Sequence, residues 1–222
     1  MVDGDNVCLR IVCRDGARLN IGSVGNLQIY KSPLNGCSQT VKGLLEDNAV
    51  CVVNAEPAVL HSGSSFEQKQ EWTVTPESSL LVAEWVVGGR LEIGERFAFD
   101  KYVSDFAVLI DGRPLIVDRF EFRPDRFDYH DPALFGGLAC LLNLYIVGSR
   151  WTLLENRLAR EIDECLKSDS QTLASIHRVQ EHGYILRALS NNRNSLKWVT
   201  DSIHEFVTRE DYLGFNPSER KY

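Results

Sequence analysis

Two carboxylates set inside apolar runs are the residues of this sequence best suited to chemistry. Glu84 lies within Leu80-Leu81-Val82-Ala83-Glu84-Trp85-Val86-Val87, and Asp118 within Pro114-Leu115-Ile116-Val117-Asp118-Arg119-Phe120. A carboxylate is costly to bury unless it is paired, hydrogen-bonded or bound to a cation. Alternate side chains of a strand face opposite ways, so the plain reading is that each acid faces water. For Asp118 that reading is strong, because Arg119, Glu121 and Arg123 give its strand a polar side. For Glu84 it is weaker, because the same-face neighbours Val82 and Val86 are apolar.

Other reactive groups form no recognisable centre. There is no G-x-x-x-x-G-K-[ST] to hold phosphates, no G-x-G-x-x-G between strand and helix, and no His-Glu-x-x-His. No G-x-S-x-G elbow presents a serine nucleophile. Cys8 and Cys13 sit on one predicted strand at a spacing that points them to opposite faces. His177 and His182 straddle a predicted turn and lack a third ligand at metal spacing. His61, beside Ser62-Gly63, reads as a turn residue, and the single methionine rules out a methionine-rich soft-metal site.

The elements that must position these acids are mostly short strands. Val7 to Val12 alternate, and Asp15-Gly16 reads as a hairpin-type turn. Strand patterns follow at Arg18 to Ile21 and Leu27 to Lys31, and Asn35-Gly36 is a second turn signal. Further strands are expected near Val50 to Asn54, Ala58 to His61, Phe66 to Val74 and Leu80 to Val87. Pro76 and Ser78 mark the turn between the last two. Tyr102 to Ile110 and Pro114 to Phe122 flank Asp111-Gly112, a clear hairpin. Arg123 to Asp131 reads as a loop and Leu138 to Val147 as an apolar strand.

The period then changes. Thr152 and Glu155 form a capping-box signature ahead of Leu154, Leu158, Ile162 and Cys165 or Leu166 on one helical face. A hairpin over Ser175 to Leu189, turning at Glu181-His182-Gly183, leads to a second helix from about Ser195 to Arg209. Asn194 or Ser195 would cap that helix, and Gly214 and Pro217 would end it. No repeat of 20–50 residues is visible. Strand signals at this spacing point to a sandwich, a barrel or a stacked β arrangement rather than to βαβ units.

Composition bounds the function. The 222 residues are 44% hydrophobic and 25% charged, which suits a globular chain and sets disorder aside. The formal net charge of −7 argues against a nucleic-acid or anionic-membrane binder, which needs a basic footprint. No apolar run is long enough for a transmembrane helix. The start MVDGDNVCLR lacks the plan of a secretory signal, and the six cysteines include no C-x-x-C pair. The expectation is a cytoplasmic protein with reduced thiols.

Several segments in order resemble one family. Glu84-Trp85-Val86-Val87-Gly88-Gly89-Arg90-Leu91-Glu92-Ile93-Gly94-Glu95-Arg96-Phe97 resembles the acidic strand and G-R-x-x-x-G-E-x-F block of urease accessory protein UreD, called UreH in some lineages. Asp3-Gly4-Asp5 resembles the end of the family's Gly-Gly-Asp motif, and Gln28-Ile29-Tyr30-Lys31-Ser32 its K-x-Y-R-S strand. Glu56-Pro57-Ala58-Val59-Leu60 with Phe66-Glu67-Gln68, and Asp111 to Arg119, follow in family order. Asn216-Pro217 and Tyr222 resemble the family's tail.

The resemblance implies a mainly β fold: a right-handed β-helix-like stack of short strands with two carboxyl-terminal α-helices. It spans residues 1–222 as one domain, mostly β to residue 150 and helix, hairpin and helix beyond, without the family's usual amino-terminal strands. It implies a urease maturation chaperone, not an enzyme, that binds urease apoprotein, a UreF-like accessory protein and a UreG-like GTPase. No cofactor is held permanently; Ni²⁺ passes transiently on its way to the urease active site. The family's acidic positions fall on Asp5, Glu84 and Asp118, with Glu95 added. Arg90, Gly89, Gly94 and Arg119 fall on partner-binding or structural positions. Two other readings stay open. One is a β-helical carbohydrate-active enzyme using Glu84 and Asp118 as acid and base, about 5–10 Å apart in an open groove. The other is an interaction scaffold that has lost metal transfer.

Overall fold

The computed structural model describes residues 1–168, 171–180 and 183–217, excepting the side chains of residues 149, 152 and 165–168. Its strands wind as a solenoid of about three coils. The first coil holds β1 (Asn6–Cys13), β2 (Arg18–Ile21) and β3 (Leu27–Ile29). The second holds β4 (Cys37–Leu45), β5 (Val50–Asn54) and β6 (Ala58–Leu60). The third holds β7 (Ser65–Val74) and the long β8 (Ser79–Val87).

Each strand pairs in parallel with its counterpart one coil on, so Asn6 lies beside Ser38, Arg18 beside Val50 and Leu27 beside Ala58. That is a spatial period of about 30 residues, in the solenoid range, with no matching repeat of residue types. The Asp15-Gly16 turn is therefore not a hairpin. It is a corner that carries the chain from one sheet to another, and Gly16 donates its amide to the Asp47 carbonyl of the corner stacked on it. β4 itself carries no clear strand signal in the sequence, because Gln39 and Gly43 interrupt its apolar alternation.

The stack closes with antiparallel elements. β9 (Lys101–Ile110) pairs in parallel with β7 and turns at Asp111-Gly112 into β10 (Arg113–Phe122), the expected hairpin. β11 (Cys140–Val147) runs antiparallel beside β8. α1 (Thr152–Ser168) follows, then β12 (Thr172–Val179), β13 (Gly183–Ser190) and α2 (Lys197–Val207). The result is a five-stranded sheet in the order β1-β4-β7-β9-β10, facing a larger sheet that runs β12-β13-β11-β8-β5-β2. The mainly β stack with two carboxyl-terminal helices is thus what this chain forms.

β8 and β11 are buried along their whole length because both of their faces are covered. Leu81, Ala83, Trp85 and Val87 of β8, with Leu142, Leu144 and Ile146 of β11, pack with Leu154 and Leu158 of α1 and Val199 and Ile203 of α2. The opposite parity faces the five-stranded sheet. Both helices lie where the 3.6-residue period puts them. Neither Asn194 nor Ser195 caps α2; Asn192 Oδ1 instead accepts the Ser195 amide at 3.1 Å, at the start of a 3₁₀ turn over Asn194–Leu196. The Thr152 side chain, the Cys165 and Leu166 side chains, Glu181-His182 and Tyr222 lie outside the described residues. Among the described residues no helix is long and apolar enough to cross a membrane.

Candidate functional site

The space between the two sheets holds two apolar clusters rather than one. The first contains Val41, Trp72, Leu80, Val82, Phe106, Ile116 and Tyr145. The second contains Cys37, Phe66, Val86, Tyr102 and Leu141, with Phe120 and Leu189 packed against it. Period-two alternation leaves one inward position between the clusters on each strand, or two on β7, and these positions are polar in strand after strand. They are Gln39 on β4, Gln68 and the buried Gln70 on β7, Ser104 on β9, Asp118 on β10, Glu84 on β8, Asn143 on β11 and Arg187 on β13. Cross-strand register stacks these residues. Gln39 lies beside Gln68 and Gln68 beside Ser104 on one wall, while Glu84 lies beside Asn143 and Asn143 beside Arg187 on the other.

The walls meet at Glu84. Its Oε1 accepts the Ser104 hydroxyl at 2.6 Å, and the residue is 4% exposed. Glu84 Oε2, the Tyr102 hydroxyl and both side-chain polar atoms of Asn143 are buried without a hydrogen-bond partner among the described residues. Natural interiors rarely leave such groups unpaired, so four such atoms in one stratum make this layer the candidate site. Burial pushes the Glu84 carboxyl up to about 7, the Ser104 hydrogen bond opposes that rise, and the charge of Asp118 adds to it. Burial likewise raises the Tyr102 and Tyr145 hydroxyls, with Glu84 contributing in both cases.

Asp118 does not face water. Arg119 and Glu121 occupy the opposite parity of β10, and Arg123 follows its end, whereas Asp118 shares its face with Ile116 and Phe120. The polar neighbours in sequence therefore describe the other side of the strand. Asp118 Oδ2 accepts the Tyr145 hydroxyl at 2.8 Å and pairs with Arg187 at 2.7 Å. Stacking of Tyr145 on Phe106, with centroids 3.7 Å apart, fixes that hydroxyl between the two acids.

The remaining sequence candidates lie elsewhere. Asp5 is exposed and accepts the Val2 amide at 2.8 Å in the first turn. Glu95 belongs to a self-closed loop over residues 88–97. Arg90 holds its carboxylate at 2.6 Å, which keeps the Glu95 acid below the usual carboxylate range, and the Ser62 amide donates to it at 3.0 Å. Gly89 (φ 137°) lets the Glu95 carbonyl approach so closely that a Cβ would stand 2.2 Å from it. Gly94 (φ 78°) ends the loop's single 3₁₀ turn, Leu91–Ile93. These glycines and Arg90 shape the backbone, and the loop they shape presents Ile93 at 68% exposure. Arg119 is exposed, opposite Asp105 on β9.

An open groove of about 1190 Å³ runs between this loop and α2. Trp85 and Val87 line it, and Arg193 lies over the Trp85 ring at 5.5 Å. Glu84 and Asp118 are not among its lining residues, so the open cleft that a polysaccharide would need does not contain the two acids. Among the described residues no group of three or more His, Cys, Asp or Glu side chains is arranged to hold a metal ion permanently. The stacked layer was invisible to the sequence except at Glu84. Asn143, the one polar residue of the apolar run Leu138 to Val147, is the signal that could have pointed to its second wall.

Residues 1–221 match the model of a family described as UreD urease accessory protein. The chain is 30% identical over 230 residues to a protein named urease accessory protein UreD from Cytophaga hutchinsonii, a match covering 98% of this chain and 81% of that one. It is 29% identical over 119 residues to urease accessory protein D of Oryza sativa subsp. indica, covering 53% of this chain and 39% of the rice protein. A urease accessory protein UreD from Staphylococcus aureus is 20% identical over 214 residues, covering 95% and 76%.

Proposed function

We propose that this chain, which belongs to the UreD urease accessory protein family, assists nickel delivery to urease through its inter-sheet polar layer. Family membership puts its role in urease maturation. On this reading it is a non-catalytic chaperone of the cytoplasm that binds urease apoprotein together with UreF-like and UreG-like helpers. Nickel is its cargo and not a resident cofactor.

The observation that carries the reading is the unpaired carboxylate oxygen of Glu84 beside the unpaired Asn143 amide. A divalent ion crossing protein needs oxygen donors at intervals, each strong enough to replace part of its hydration and weak enough to release it. Gln39, Gln68, Ser104, Glu84, Asn143 and Asp118 offer such donors one strand apart, which supports a route along the stack. Neutral amides and a hydroxyl outnumber the carboxylates, which favours release over retention.

The test is co-expression of urease with its accessory proteins and this chain as wild type, Glu84→Gln or Asp118→Asn. The expected result is at least a tenfold loss of urease activation, with co-purification of the partners unchanged. Full activation by both variants refutes the cargo route. Retained partner binding, with no Ni²⁺ bound even by the wild type, would instead favour the scaffold reading.

A further inference from the structure

One residue of the polar layer carries the sign that a cation route should avoid. Arg187 lies beside Asn143 in register, between Ile185, which packs on the first inter-sheet cluster, and Leu189, which packs on the second. Its Nη2 donates to Asp118 Oδ2, the same oxygen that accepts the Tyr145 hydroxyl. The Asp118 side chain is 11% exposed and that of Arg187 is 45% exposed, so the guanidinium covers the carboxylate on its solvent side. The topology explains why the layer surfaces there. The five-stranded sheet stops at β10, while the larger sheet continues past it through β13 and β12. Among the described residues Glu84, deeper in the layer, forms no ion pair.

We propose that Arg187 is a tethered counter-cation that stoppers the β10–β13 end of the polar layer and must leave Asp118 before a divalent cation can use it. This inference rests on the nickel-delivery reading. Its physical basis is competition for one oxygen. The Arg187 end of the pair is half exposed and its long side chain is free to reorient, while the released Asp118 keeps the Tyr145 hydroxyl, so opening costs less than breaking a fully buried pair. A permanent positive charge at the oxygen nevertheless repels any arriving cation until it swings away. The stopper also selects by charge. A monovalent ion gains no more from Asp118 than the guanidinium does, and it lacks the directed N–H donors; a divalent ion gains more.

Equilibrium dialysis of Ni²⁺ against the intact purified chain, with a chelator of known affinity as competitor, tests the stopper. Arg187→Gln should bind Ni²⁺ about tenfold more tightly than wild type, Arg187→Lys should match wild type, and Arg187→Gln with Asp118→Asn should lose the gain. Tryptophan fluorescence of each variant confirms folding, and the charge-keeping lysine separates electrostatic release from lost packing. If Arg187→Gln binds no more tightly than wild type while Glu84→Gln weakens binding, the stopper is overturned and the cargo route survives. If Arg187→Gln gains affinity but Glu84→Gln and Asp118→Asn activate urease normally, the stopper stands and nickel delivery falls. Absence of Ni²⁺ binding in wild type and every variant overturns both.

Discussion

Replacing Glu84 by Gln should make the protein more stable at alkaline pH and leave it unchanged in acid. The carboxyl titrates near 7 in the folded chain against an ordinary 4.5, because burial disfavours its charged form. The native state therefore holds this proton more tightly than the unfolded chain does. Stability from this group is complete below about pH 4.5, declines as pH rises, and is lost once pH passes about 7. Two and a half pH units at about 1.4 kcal/mol each give a penalty of about 3–4 kcal/mol at pH 8. A neutral amide of the same shape escapes it. Urea unfolding followed by tryptophan fluorescence, at intervals from pH 4.5 to 8.5 with a chelator present, measures both chains. Their difference cancels every other titrating group. It should be near zero at pH 4.5 and reach about 3–4 kcal/mol in favour of Glu84→Gln at pH 8. A difference that stays constant across that range refutes the account of Glu84 as a buried, poorly compensated acid.

Asn143→Leu should also stabilise the fold, by about 1–2 kcal/mol in urea unfolding, because both polar atoms that it removes are buried and unpaired. The same variant should activate urease less well, since it deletes a donor from the second wall. In the loop over residues 88–97, Gly89→Ala should lower the melting temperature more than Gly94→Ala. The first forces a Cβ into the Glu95 carbonyl, while the second meets open space and carries only the strain of its positive φ, about 1–2 kcal/mol.

Much of the strand and helix content was legible because it rests on local periodicity. The Asp111-Gly112 hairpin, the wholly buried β8 and β11, and the inward stripe of α2 all follow from spacing within a dozen residues. Pairing between coils was not legible. Asp15-Gly16 has the left-handed turn chemistry that a hairpin and a solenoid corner share, and the choice between them is made by β4, a coil away. Glu84 was readable because Val82 and Val86 flank it on its own face. Asp118 reads as facing water because its adjacent residues are polar, although adjacency in a strand reports on the opposite face. Ser104 and Arg187 carried no local signal at all. Only the register that sets Arg187 beside Asn143, and the facing of the two sheets that brings Ser104 to Glu84, give them meaning, and both are properties of the assembled sheets.

The polar stratum has a mechanical consequence. An oily interior resists shear because it is continuous, and here that continuity is interrupted by polar side chains on seven strands. The molecule is laminated: two dry slabs share the same strands and are separated by a plane whose groups prefer water or an ion to each other. Such a plane is where the solenoid yields first under load, and where a partner gripping opposite flanks would pry it ajar without melting either slab.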